Sequence, residues 1–124
     1  VLPLLESDLF TIMKATTDGT LAETEVKFAD KHACCVIMAS KGYPSHYEKG
    51  FEISIPDDVL ENVYIAGASI KENKLFTNGG RVLGVVATGN DLITARANAY
   101  EATKLIDFDN KYMRNDIGKA IDEA

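Results

Sequence analysis

Three stretches decide the fold: VYIAGASI (63–70), KLFT (74–77) and RVLGVVAT (81–88). Each is short and rich in β-branched or aromatic residues, and each ends at residues that suit tight turns. Glu72-Asn73 lies in the first gap and Asn78-Gly79-Gly80 in the second, both places where a positive φ is cheap. Connections this short cannot carry the crossover that parallel strands require, so the segment predicts antiparallel pairing. Towards the amino terminus, Phe51-Glu52-Ile53-Ser54-Ile55 alternates and predicts a half-buried strand. Pro56-Asp57-Asp58 after it suits one helical turn, with proline in the first turn and aspartate at the positive end of the dipole. Before a loop punctuated by Gly42, Pro44 and Gly50, ACCVIMA (33–39) is a continuous apolar run. Such a run predicts a strand buried on both faces.

Outside these strands the period turns helical. Ser7 as N-cap, Leu9, Ile12, Met13 and Thr16 at helical spacing, and Gly19 as a stop predict a helix over 8–18. The mostly polar stretch 20–31 reads as a linker. After the strands, Asn90 or Asp91 caps a helix whose Leu92, Ala95, Ala99, Ala102 and Ile106 form one stripe. Alanines at those positions predict close packing on a sheet. The tail from Phe108 predicts a loop and a last short helix. The fold class is α+β, a small antiparallel sheet or partial barrel with flanking helices.

Composition narrows the partners. A chain of 124 residues is one domain's worth, and 19 Asp and Glu against 13 Lys and Arg leave a net charge of −6. That balance argues against nucleic acid or an anionic membrane as partner, while leaving room for a local basic pocket. No apolar run approaches the roughly 20 residues of a membrane span. Cys34 and Cys35 are adjacent, which excludes a disulfide framework or a zinc knuckle and suits buried fillers of a reduced, cytoplasmic protein. The opening Val1-Leu2-Pro3-Leu4-Leu5 is too short for a signal peptide and reads as the interior of a longer polypeptide.

Few residues offer chemistry. His32 and His46 flank a predicted strand without a third metal ligand. Asp57-Asp58, and Asp107 with Asp109, are explained by turn and cap duties. A nucleophilic pair of Cys34 or Cys35 with a histidine lacks a third group to orient it. In the loop 40–47, Gly42-Tyr43-Pro44 reads first as a turn whose tyrosine covers the barrel end, and as the lesser reading Lys41, Tyr43, His46 and Tyr47 suit a ligand wall. Asn78-Gly79-Gly80-Arg81 is the sharpest signal. Two glycines let backbone N–H groups approach an anion and the guanidinium adds a fork, although a hairpin turn followed by a surface arginine has the same sequence.

Taken in order, the segments 2–9, 39–44, 77–83, 99–100 and 114–118 resemble the carboxy-terminal part of the phosphoribosylamine–glycine ligases, also called glycinamide ribonucleotide synthetases. The resemblance spans nearly the whole chain. It implies an ATP-grasp ligase of purine biosynthesis that joins glycine to 5-phosphoribosylamine through a glycyl phosphate, using ATP and Mg2+. In that family the nucleotide clamp and the metal ligands precede the segment present here. The resemblance therefore implies no catalytic and no metal-binding residue on this chain, no bound ATP or Mg2+, and no activity of the chain alone. It makes residues 1–20 the last helix of an upstream ATP-grasp domain and 21–124 a linker and carboxy-terminal domain that closes one side of the active site. Related ATP-grasp enzymes hold a ribose 5-phosphate near a Gly-rich turn, a pattern matched here by Gly79, Gly80 and Arg81, with Lys74 expected to assist from a facing strand. The rival expectation is an autonomous binding or interaction module of the same fold.

Overall fold

The computed structural model describes residues 1–119. Six strands follow one another as β1 (His32–Ser40), β2 (Val63–Ile65), β3 (Ala68–Lys71), β4 (Lys74–Thr77), β5 (Arg81–Gly89) and β6 (Lys111–Tyr112), with helices α1 (Leu9–Asp18) and α2 (Leu92–Leu105). Two antiparallel sheets result, one in the order β2-β5-β1-β6 and the other the β3–β4 hairpin. The long β1–β5 pair is the spine, running from His32 opposite Gly89 to Met38 opposite Leu83. Val36 and Met38 of β1 and Leu83 and Val85 of β5 are fully buried on the face that α2 covers. The helix meets them with Ala95, Ala99 and Ala102, and Ile106 follows its last turn into the core. Small side chains there let helix and sheet approach closely, as the stripe predicts.

Several expectations change in detail. Asp8, not Ser7, caps α1, its carboxylate accepting from Thr11 N–H at 2.8 Å. Ser7 instead ties two distant segments, its hydroxyl accepting from Lys27 N–H and donating to Glu25 C=O. β1 is not buried on both faces: Cys35 and Ile37, on the side away from α2, are exposed. Residues 51–55 alternate in burial but join their neighbours only through isolated bridges, Glu52 to Phe76 and Ser54 to Asp107. Pro56 is the N-cap of a six-residue 3-10 helix, Asp57–Asn62, rather than its first residue.

The predicted strand 63–70 is two strands, parted at Ala66-Gly67 and belonging to different sheets. Glu72 and Asn73 do form a two-residue turn with φ of 51° and 60°. The Asn78-Gly79-Gly80 connection is no hairpin turn, since β4 and β5 lie in different sheets and neither glycine has a positive φ. The tail from Phe108, expected to hold a loop and a last short helix, contains β6 among the described residues, and its residues 120–124 lie outside them.

Candidate functional site

What requires glycine at 79 and 80 is crowding. A Cβ on Gly80 would lie 2.0 Å from Cδ2 of Tyr43, and one on Gly79 would lie 2.9 Å from the Cα of Gly67. The link is also gripped through its carbonyls. Ser40, fully buried, donates its hydroxyl to Gly79 C=O at 3.0 Å and its N–H to Gly80 C=O at 2.8 Å. Gly67 N–H donates to Arg81 C=O at 2.8 Å. Three successive carbonyls are thereby used up. Among the described residues, the amides of Gly79 and Gly80 donate to no main-chain acceptor. Gly79 and Gly80 are left with donors only, a condition that suits an anion.

A β-bulge then aims the arginine. Met38 opposes Leu83 but Ala39 opposes Arg81, leaving Val82 as the extra residue on β5. In regular register Arg81 would face Ser40, whose side chain points into the protein. The extra residue puts it opposite Ala39 instead, on the sheet face away from α2. There it joins Ile37 and Ala39 of β1 and Tyr112 of β6 in lining a cavity of about 410 Å3. Tyr43 and Pro44 form one wall, and Met113, Arg114 and Ile117 another. Arg81 is exposed and, among the described residues, has no ion pair and no side-chain hydrogen bond. Arg114 is paired with Asp116 through two bonds of 2.8 and 2.6 Å, which raise the pKa of the guanidinium and lower that of the carboxyl.

The remaining candidates separate. Tyr43 packs on Gly80, with Tyr47 edge-on to it at 6.0 Å. Lys41, His46 and Tyr47 line a neighbouring cavity of about 300 Å3 with Glu48 and Asn110. Lys74 is placed away from Arg81: it sits on the β3–β4 hairpin, held by Glu52 at 2.9 Å, and β4 does not face β5. Asp107 pairs with Lys111. His46 and the cysteines line no common cavity among those described, and burial pushes both thiols up, the opposite of an activated nucleophile. Sequence reasoning missed Arg114, Tyr112, Met113 and Ile117 as site residues. Arg114 and Ile117 lie in the segment 114–118 that carries the family resemblance, but the Arg-x-Asp spacing there marks an ion pair and nothing about a pocket.

The chain matches the family described as phosphoribosylglycinamide synthetase, C domain, over residues 33–120. It is 48% identical to the phosphoribosylamine–glycine ligase of Caldanaerobacter subterraneus subsp. tengcongensis, across 94% of this chain and 28% of that protein. It is 41% identical to the trifunctional purine biosynthetic protein adenosine-3 of Gallus gallus, across 95% of this chain and 12% of the relative. Among solved structures, the phosphoribosylamine–glycine ligase of Thermotoga maritima superposes with a TM-score of 0.72 at 37% identity, across 86% of this chain and 27% of that one. The chain thus spans a little over a quarter of the length of the single-function ligases it matches.

Proposed function

The chain belongs to the phosphoribosylglycinamide synthetase C-domain family, and from that footing we propose that it serves as the carboxy-terminal part of an ATP-dependent ligase joining glycine to 5-phosphoribosylamine. Its own share is to hold the phosphate end of phosphoribosylamine at Gly79, Gly80 and Arg81. One observation carries this: among the described residues the carbonyls of Gly79 and Gly80 are engaged and their amides are not, and Arg81, which follows them and lines a cavity, has no ion pair and no side-chain hydrogen bond. A phosphate needs a cation with a planar fork plus backbone donors, and both are present here.

Residues 1–20 are assigned on this reading to the last helix of an upstream ATP-grasp domain, with 21–31 leading into the family domain. That agrees with the family match starting at residue 33. The described residues hold no group of three or more His, Cys, Asp or Glu side chains able to ligate a metal. On this reading ATP with its magnesium belongs to the upstream domain. The chain alone is expected to be inactive. Unpaired cysteines suit a cytoplasmic setting, and no helix among the described residues is long and apolar enough to cross a membrane.

The test places this chain in a full-length ligase of the family in exchange for the corresponding part. Arg81→Ala should raise KM for phosphoribosylamine by about ten- to a hundredfold and leave KM for ATP unchanged, since each hydrogen bond to a charged group contributes about 1.5–3 kcal/mol. Arg81→Lys should recover part of the loss, an ammonium lacking the planar fork. Unchanged phosphoribosylamine kinetics with a lower melting temperature would make Arg81 a structural residue and end the assignment.

A further inference from the structure

The pocket is too apolar to be a phosphate site alone. Ile37, Tyr43, Pro44, Met113 and Ile117 supply most of its wall, and inorganic phosphate would leave them bare. It also holds a second guanidinium, and that one is fixed with unusual care. Asp116 engages Nε and Nη2 of Arg114, two of the five N–H groups that arginine offers, so three remain available. The segment carrying the pair has no regular structure beyond β6, yet α2 clamps it. Tyr100 donates its hydroxyl to Arg114 C=O at 2.7 Å and accepts from Ile117 N–H at 3.1 Å. Arg96 donates to Ile117 C=O at 2.7 Å and to Asn115 C=O at 3.1 Å. An ion pair whose arginine side chain is 69% exposed adds little to stability. What the arrangement supplies is an arginine, among the residues that line the cavity, whose guanidinium is held by Asp116.

We infer that Arg114, oriented by Asp116, acts with Arg81 as a two-cation reader of a phosphomonoester dianion on a compact carbon skeleton, with Tyr43, Pro44 and Met113 taking the apolar face of the sugar. This rests on the functional reading above and deepens it. A phosphomonoester carries between one and a half and two negative charges near neutral pH, about what one unpaired and one partly neutralised guanidinium can match. A diester, with a single charge, gives the second arginine nothing to read.

The experiment is an NMR titration of the 15N-labelled 124-residue chain, following arginine Nε–H signals. Ribose 5-phosphate should move Arg81 and Arg114 with one common Kd. Inorganic phosphate should bind about tenfold more weakly, and the methyl phosphodiester of the same sugar phosphate likewise about tenfold more weakly. Arg114→Gln should cut the monoester-to-diester ratio to about twofold. Asp116→Asn should leave the ratio in between, and Arg114→Lys should restore part of it. An Arg114 signal that stays still while Arg81 titrates, or a ratio unchanged in Arg114→Gln, overturns the two-cation inference and leaves the Arg81 assignment intact. If inorganic phosphate binds as tightly as the sugar phosphate, the apolar walls play no part and the assignment of a carbon skeleton falls. If neither guanidinium responds, both readings fail together.

Discussion

Residues 1–28 and 32–119 obey different rules of burial. In the first stretch only Ala15 is buried, while Leu2, Phe10, Met13 and Phe28 are exposed, Phe10 by 72% and Met13 by 61%. The second stretch contains all the other buried apolar residues of the described chain. Yet both are regular locally. α1 has a side-chain cap, a left-handed Gly19 at its end and a Lys14–Asp18 pair along it. It packs chiefly against the short 3-10 turn Leu21–Glu23, and the excursion is closed at its base where Leu4 and Glu6 bond to Ala29 and Lys27. Good local chemistry makes a helix; only an apolar counterface makes it part of a core.

That contrast is most easily broken with a pair of truncations. Met38→Ala, at a fully buried position, should cost about 2–5 kcal/mol. Phe10→Ala removes a larger side chain and should leave stability within about 0.5 kcal/mol. Equal losses in chemical denaturation would mean that α1 is part of the cooperative unit after all. Gly80→Ala comes next, at about 1–3 kcal/mol, because the added methyl must displace the Tyr43 ring. The same variant should weaken ribose 5-phosphate binding, since Tyr43 is a wall of the pocket. A stable variant with intact binding would show that the ring moves freely, and the close fit of the link would lose its meaning.

A gentler test removes residues 1–28. The domain should keep its melting temperature to within a few degrees, and the concentration-dependent self-association expected of the whole chain should be absent, as the bare apolar side chains leave with the segment. In the intact chain, amides of α1 should exchange at least a hundredfold faster than those of β5. Protection of α1 equal to that of β5, together with monomeric elution of the whole chain, would refute the two-region description.

The sequence showed the parts that depend on local pattern. Alternation, the Glu72-Asn73 turn and the alanine stripe of α2 were readable because each is set by a few neighbouring residues. The arrangement of the sheets was not. A break at Ala66-Gly67 and an extra residue at Val82 decide which sheet a strand joins and which face an arginine takes, and neither changes the local hydrophobic pattern. The site suffered accordingly. Gly79, Gly80 and Arg81 stood out; of the two reasons offered for the glycines, a tight turn with positive φ fails because neither has one, while Tyr43 and Gly67 from distant segments leave no room for a Cβ at either position. Arg114, 33 positions along, joins the pocket through β6 and through the hold of Tyr100 and Arg96 on its segment.

The smallest effect concerns two helices with the same cap. Asp8 accepts from Thr11 N–H and Asp91 from Thr94 N–H, and in both cases hydrogen bonds to that threonine, from its side chain first at Asp8 and its backbone first at Asp91, hold the carboxyl below the ordinary aspartate value. A folded pKa below the unfolded one means that each cap's contribution is full above the unfolded value, about 3.9, and is lost as pH falls through the lower folded value. The sign is shared; the consequence is not. When Asp8 is protonated, α1 has little tertiary packing to fall back on, so its helical Cα shifts should decay as pH drops below about 4. α2 is held by Ala95, Ala99 and Ala102 against the sheet, so its shifts should persist through the same range and its cap's loss should show only as a melting temperature lower by a few degrees. Substitution separates the two at neutral pH: Asp8→Ala should reduce α1 helicity with the global transition unmoved, whereas Asp91→Ala should lower the transition with α2 intact at 25 °C. Fraying of α2 before α1 on acidification would reverse the order that burial dictates, because identical caps would then differ through something other than the surface beneath them.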